Sequence, residues 1–453
     1  MTPSLESRSP TGFLVRRLRR AGAHAAGWPW WVQVSLVYIA SRLVSACIFM
    51  AAALQQGVNP WFPPAPDYWN FITIWDGRWY AEAANNGYPS VLPVNANGGV
   101  AENSWAFYPL FPYLAKALGA LTGLATLPAL TVVAMVAGLG AALVAYKLFR
   151  EFAGRTTALW ALTFFSMFPV SAILQVPYAE SLNTLLLAGS LLLLVRRKYL
   201  AAMPVVLLMC LSRPTGVPFA AMVGLLLVHH LWKRFGRRPS VPGDVPADVP
   251  AAGSIPTLRE LGSLAALVGV SAAGALAWPA IAWAVTGDPL AYTKTETVWR
   301  GDDLVPFKPW FETGQMLFGP VLGILAPFVF VALFALLMLS KPVRALGTEL
   351  RLWCTCYVGY LLVFLHPRRA RSGCSCPCSP WRSARPGCPA RRLTAAPWWS
   401  CSSSSRSYGS SGCGRGRSCR AAATILRDAS ASFRQFKRDH GPAGKVHQLA
   451  TGG

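Results

Sequence analysis

Trp75-Asp76-Gly77-Arg78-Trp79-Tyr80 sets a carboxylate and a guanidinium among aromatic rings, and a second aromatic run, Asn103-Ser104-Trp105-Ala106-Phe107-Tyr108-Pro109-Leu110-Phe111-Pro112, follows it. A carboxylate beside Trp and Tyr suits proton transfer from a sugar hydroxyl. The carboxylate takes the proton as a base, while aromatic rings stack on sugar faces. The same rings populate membrane–water interfaces without any chemistry. Asp76 therefore has two readings: a general base, or the N-cap of a helix beginning near Gly77, because Asp is a preferred cap. Trp75 and Arg78 flank it, and Asn103 and Tyr108 are the candidates from the second run. Glu82, Asn86 and Glu102 read as solvated loop polars.

Three further constellations carry charge at the ends of apolar runs. Glu180 stands in Val176-Pro177-Tyr178-Ala179-Glu180-Ser181 between two such runs, with Tyr178 beside it. Ionisable groups at membrane depth are costly and mark function, or Glu180 sits at a helix N-terminus where the dipole favours it. Arg213, in Ser212-Arg213-Pro214-Thr215-Gly216, offers a fork that fits phosphate or snorkels from a helix end. Gly287-Asp288-Pro289 leads to Lys294 and Arg300, cations compatible with a phosphate leaving group or with lipid headgroups. No His/Asp/Glu grouping has metal-ligand spacing, so neither a metal nor another cofactor is expected.

The elements that must position these residues are membrane helices. Hydrophobic residues make up 53% of the chain and charged residues 13%, where a soluble domain is closer to a quarter charged. Mean hydropathy is +0.38. Runs of about 18 or more apolar residues mark spans, and the sequence predicts about nine, at 30–54, 127–148, 157–176, 180–195, 199–215, 216–232, 261–285, 316–340 and 350–366. Prolines break several, so eight to ten remain open. The expected class is all-α and polytopic.

Charge placement predicts the orientation. Arg16, Arg17, Arg19 and Arg20 precede the first span and put the N-terminus, residues 1–29, in the cytoplasm. Lys147/Arg150/Arg155, Arg196/Arg197/Lys198, Lys233/Arg234/Arg237/Arg238 and Lys341/Arg344 share that side only if 106–122 does not cross. That segment, with Pro109, Pro112 and Lys116, reads as an interfacial or re-entrant helix. Loops 55–126 and 286–315 then face outward, and 233–260 faces the cytoplasm. The first span is long, holds Arg42 and lacks a small-x-small cleavage site, so it reads as an anchor and not a signal peptide. The formal charge of +24 is no nucleic-acid footprint: residues 368–453 carry +14 of it, and the rest flanks spans.

After Phe364-Leu365-His366-Pro367 the composition changes. Within 368–420, Arg, Ser, Cys, Pro and Gly supply 42 of 53 residues, and seven of the eleven cysteines lie there. A metal site is one reading, although Cys374-x-Cys376-x-Cys378 lacks Cys-x-x-Cys spacing and nearby His. A disordered basic tail on the membrane surface is another. The third, favoured by the abrupt change, is translation of GC-rich DNA out of frame, which yields this mixture and removes acids. Under that reading the last one or two helices are replaced.

Trp75-Asp76-Gly77, Ala106 to Pro112, Pro177-Tyr178-Ala179-Glu180-Ser181, Ser212 to Gly216 and Gly287-Asp288-Pro289 together resemble the PIG-V-type mannosyltransferases, polytopic enzymes of the GT-C fold similar to the GPI mannosyltransferase that adds the second mannose. The resemblance spans roughly residues 30–366. It implies that Asp76 is the catalytic loop aspartate, that the donor is a polyprenyl- or dolichyl-phosphate-linked mannose, and that transfer inverts the anomeric centre. It implies a glycolipid or other membrane-surface acceptor. Glu180 and Arg213 match motif positions. The family continues with a polar-aromatic motif and further helices where this chain has its tail. Ala, Gly, Pro and Arg usage points to a GC-rich bacterium and its plasma membrane, so a GPI acceptor is not carried over. The rival class is a transporter or lipid flippase, for which internal repeats and midplane polar residues are the signature. A scaffold is the third class, and convergence of Asp76, Glu180 and Arg213 on one outer site separates an enzyme from it.

Overall fold

A computed structural model describes residues 27–57, 63–96, 98–235, 256–300 and 305–364, the side chain of Arg300 excepted. The N-terminal arginines, most of the 233–260 loop and the tail from residue 367, with the three readings of it, lie outside the described residues. Among them, helix accounts for nearly all regular structure, and one isolated bridge, Val94 to Val100, is the sole β pairing. The described part of the chain is therefore all-α.

The helices, in order, are α1 (Trp30–Leu54), α2 (Tyr68–Ile72), α3 (Asp76–Asn86), α4 (Leu110–Thr122), α5 (Thr126–Arg150), α6 (Arg155–Met167), α7 (Glu180–Val195), α8 (Tyr199–Cys210), α9 (Gly216–Phe235), α10 (Leu258–Thr286), α11 (Ala291–Arg300), α12 (Lys308–Phe318), α13 (Leu322–Leu339), α14 (Lys341–Arg344) and α15 (Gly347–Phe364). Five of them, α1, α5, α9, α10 and α13, are long and apolar enough to cross a membrane. This is a helical membrane protein.

The segment expected at 157–176 is not straight. It forms α6 and a 3₁₀ stretch, Pro169–Gln175, that meet at a bend of 79°. Pro169 has no N–H to continue the ladder, so carbonyls at the break need other donors. Arg42, buried within α1, supplies them: its guanidinium donates to the Ser166 carbonyl at 2.6 Å and to that of Ser171. A charged side chain inside an apolar helix is thereby accounted for. The segments expected at 180–195 and 199–215 form the shorter apolar helices α7 and α8. The run expected at 316–340 divides, because Gly319 takes φ +83° and Pro320 follows, so the apolar helix α13 starts only at Leu322.

At the centre stands α5. Its buried face is small, with Ala129, Ala134, Ala137, Gly138, Ala141, Ala142 and Ala145. Small residues let membrane helices approach closely. A side chain at Gly140 would start 3.2 Å from Leu185 of α7, and one at Gly138 would collide with the Tyr38 hydroxyl of α1. That hydroxyl donates to Leu174 O at 3.2 Å, tying α1 to the bent segment. One apolar core, including Leu148, Leu194, Met209, Phe219, Met222 and Leu264, joins α5 to α7, α8, α9 and α10. A second joins α3 and α4 to the start of α7 through Ile72, Tyr80, Phe107, Phe111, Ala134 and Ala179.

The segment expected to lie at the interface, 106–122, forms a 3₁₀ turn at Ser104–Ala106 and then α4. At 13 residues, α4 is about 20 Å long, short of a hydrocarbon core of about 30 Å.

Candidate active site

Asp76 is the first residue of α3, not its cap. Trp75 holds the cap position, with φ +54° and ψ −115° and no capping side chain. Positive φ is uncommon for a bulky residue, and such strain costs about 1–3 kcal/mol and clusters at functional sites. Neighbours fix it: Arg78 N–H bonds to Trp75 O at 3.0 Å, and the Tyr178 hydroxyl donates to Ile74 O at 2.8 Å. Gly77 suits a close approach, since a Cβ there would meet Cγ of Pro177 at 3.1 Å and push it aside. The start of α3 is thus pressed onto the Pro177-Tyr178 turn that leads into α7.

Glu180 is the first residue of α7 and likewise makes no cap bond through Ala179. Its Oε1 accepts from Nη1 of Arg213 at 2.7 Å, with the two side chains 23% and 33% exposed. Its Oε2 is enclosed and has no hydrogen-bond partner. A carboxylate oxygen enclosed without a donor is an unmet acceptor, and Arg213 keeps further N–H groups beyond the one given to Glu180.

Asn183, one turn along α7, explains how Arg213 is aimed. Its Oδ1 accepts from Thr215 Oγ1 at 2.8 Å and lies 3.1 Å from Ser212 Oγ, so the turn carrying Arg213 is fastened to the helix carrying Glu180. Leu110 N–H bonds to Leu211 O at 3.0 Å, docking the second aromatic run on the same turn.

Asp76, Glu180 and Arg213 share one electrostatic neighbourhood. Burial pushes the Tyr178 hydroxyl well above its ordinary value, and Asp76 and Glu180 push it further. Burial does the same to Tyr80, with Arg213 pulling the other way and both carboxylates adding to the rise. Both phenols are held neutral, and Tyr178 donates to Ile74 O. Burial alone would lower Arg213, but Glu180, Tyr80 and Asp76 reverse that, so its guanidinium stays charged. Three residues distant in sequence are gathered at one site.

Asn103 and Tyr108 tie the second aromatic run to α11. Asn103 is buried; its Oδ1 accepts from Trp105 N–H at 3.0 Å and its Nδ2 donates to Thr295 of α11 at 3.1 Å. Tyr108 shares a 3.2 Å hydroxyl contact with Tyr292 of α11. Further along α11, Trp299 meets Trp79 edge-on at 5.1 Å. Tyr292, Thr295, Glu296 and Trp299 follow the spacing of one helix face, and α11 meets Tyr108, Asn103 and Trp79 through that face. Asp288 and Lys294 pair with each other at 2.5 Å, and Asp288 also accepts from Leu290 N–H at 2.8 Å, which shapes the turn into α11. Lys294, in the first turn of α11, pairs there with Asp288. Glu82 and Asn86 bond each other on the exposed side of α3.

Sequence reasoning missed Tyr80, Asn183, Glu296 and Tyr357. The first two had a signal: Tyr80 is four residues from Asp76 and Asn183 three from Glu180, spacings that share a helix face. Glu296 and Tyr357 had none. They reach the site's surroundings, near Tyr108 and Arg213 respectively, through packing of α11 and α15. Among the described residues, no group of three or more His, Cys, Asp or Glu could hold a metal ion. Comparison with protein-family models, with curated proteins and with solved structures gives no match.

Proposed function

We propose that this protein is an integral-membrane glycosyltransferase of the GT-C kind, moving mannose from a polyprenyl-phosphate-linked donor to a lipid-linked or glycolipid acceptor. The reading places the N-terminus in the cytoplasm and the site on the outer face of a bacterial plasma membrane. The observation that carries it is the gathering of Asp76, Glu180 and Arg213 beside two neutral tyrosines at the starts of α3 and α7. A scaffold has no need of that gathering.

In the proposed reaction the acceptor oxygen forms its bond to the anomeric carbon as the bond from that carbon to the phosphate oxygen breaks. Asp76 takes the acceptor's hydroxyl proton. A positioned base of this kind contributes about 10²–10⁴-fold. The departing polyprenyl phosphate keeps the bonding electrons, and the free N–H groups of Arg213 stabilise its charge. Glu180 holds the guanidinium in place. Lys294, bound to Asp288, carries no step.

Membranes from cells with and without the gene, given radiolabelled polyprenyl-phosphate mannose, test this. The expected result is one labelled glycolipid that depends on the gene. Movement of the labelled donor across the membrane with no transferred mannose would instead favour a flippase and overturn the enzyme.

A further inference from the structure

Far from this site, a cavity of about 620 Å3 opens where α1 begins, α5 ends and α6 begins, with Arg196 at the end of α7 on its wall. Its lining includes Lys147, Arg150, Arg155 and Arg196. Glu151 pairs with Arg196 at 2.6 Å, leaving four cations against one carboxylate, a surplus of three. Trp30 and Tyr146 stack at 5.7 Å on its wall, and the Lys147 ammonium lies 5.0 Å from the Trp30 ring centre. Arg155 donates to Trp28 O at 2.8 Å and Arg150 to Ala153 O at 2.8 Å. Each bond uses one of an arginine's five N–H groups, so most donors remain.

Membrane topology explains why these residues are basic. It does not explain why cations from three separate helices converge on one hollow lined by stacked aromatic rings. The chain's own preceding segment is an unsuitable occupant, since residues 7–26 contain five arginines and no acid. We infer that this cavity binds a phosphate-bearing anion at the membrane surface, either the headgroup of an anionic phospholipid or a soluble phosphate. The inference is independent of the proposed transferase, because α7 separates the two sites by about 24 Å from Glu180 to Arg196.

The test uses the full chain in zwitterionic nanodiscs, titrated calorimetrically with dioctanoyl phosphatidylglycerol, dioctanoyl phosphatidylcholine and inorganic phosphate. Saturable binding of phosphatidylglycerol, of phosphate, or of both is expected, and the two arms show which is the source. A basic residue near an anionic headgroup is worth about fivefold, so Lys147→Gln with Arg150→Gln should weaken binding about 30-fold, while Lys147→Arg with Arg150→Lys should retain it. Lys341→Gln with Arg344→Gln, a basic pair outside this cavity, should change affinity less than about twofold. Equal losses from both Gln pairs, or phosphatidylcholine bound as tightly as phosphatidylglycerol with no binding of phosphate, would overturn the inference.

Discussion

The two ends of α7 handle charge in opposite ways. At its start, Glu180 and Arg213 neutralise each other among Tyr80 and Tyr178, with Asp76 close enough to act on both rings. At its end, Arg196 pairs with Glu151, and three further cations stand with it around an open hollow. The first end is closely packed: a Cβ at Gly77 would press on Pro177 at 3.1 Å, and Trp75 is held in a strained backbone. At the second, Lys147, Arg150, Arg155 and Arg196 are exposed. Fixed geometry with balanced charge suits bond-making, where a group must be held in place. Exposed surplus charge around a hollow suits reversible capture of an anion. One apolar helix carries both because its termini, and not its middle, meet the polar loops.

Substitutions should separate the ends, and the largest effect falls at the first. Arg213→Met should remove transfer by about 10²-fold or more and lower thermal stability, because it strands Glu180 in a site only 23% exposed. Partial exposure discounts the cost of a broken buried pair to about 2–3 kcal/mol. Adding Glu180→Gln should recover much of the stability but none of the transfer, read by melting in detergent beside the activity assay. Additive stability losses in the double variant would mean the two residues do not act as a pair.

Arg42→Met tests the scaffold behind both ends. It leaves the Ser166 and Ser171 carbonyls without their donor, at a cost of about 1–3 kcal/mol. A melting temperature equal to the native one would remove Arg42 as the device that stabilises the bend. Asn183→Ala should cost about 1–2 kcal/mol by taking the acceptor from the Thr215 hydroxyl, while the Ser212 hydroxyl keeps its bond to Met209 O. If Asn183 aims Arg213, transfer should fall more than stability does, mainly through kcat.

The smallest effect belongs to Asp288. Its carboxyl is held below the ordinary range, first by the hydrogen bond from Lys294 and then by that from Leu290 N–H. A depressed folded value gives stability that is present above the unfolded value, about 3.9, and is lost as pH falls below it. Asp288→Asn should therefore flatten the acid limb of a stability-against-pH curve by lowering stability slightly at neutral pH while leaving it unchanged in strong acid. A large loss at neutral pH would give this pair more weight than its exposure allows.

Helical class and the central apolar runs were legible in the sequence because burial in a bilayer demands length and hydropathy that soluble helices do not need. The gathering of Asp76, Glu180 and Arg213 was legible only as a list of candidates, since nothing in spacing joins residues so far apart. Asn103, Tyr108 and Asp288 stand among the candidates, and each also holds loop structure together, because a loop rich in polar and aromatic groups needs internal partners of the same types that bind substrates. The break at Phe168-Pro169 was visible as a proline, but its 79° bend and its rescue by Arg42 depend on packing across 124 residues of chain. Tyr357 carried no local signal; α15 brings it to Arg213.

The most direct test of the account is the rate of mannose transfer from a polyprenyl-phosphate donor by purified native protein, by Asp76→Asn and by Glu82→Gln, each checked for a native melting curve. Glu82 lies on the same helix but bonds Asn86 on its exposed side, so it controls for loss of a nearby negative charge. The account predicts a fall of about 10³-fold in Asp76→Asn with Glu82→Gln close to native. Native turnover in Asp76→Asn would contradict it and remove Asp76 as the base.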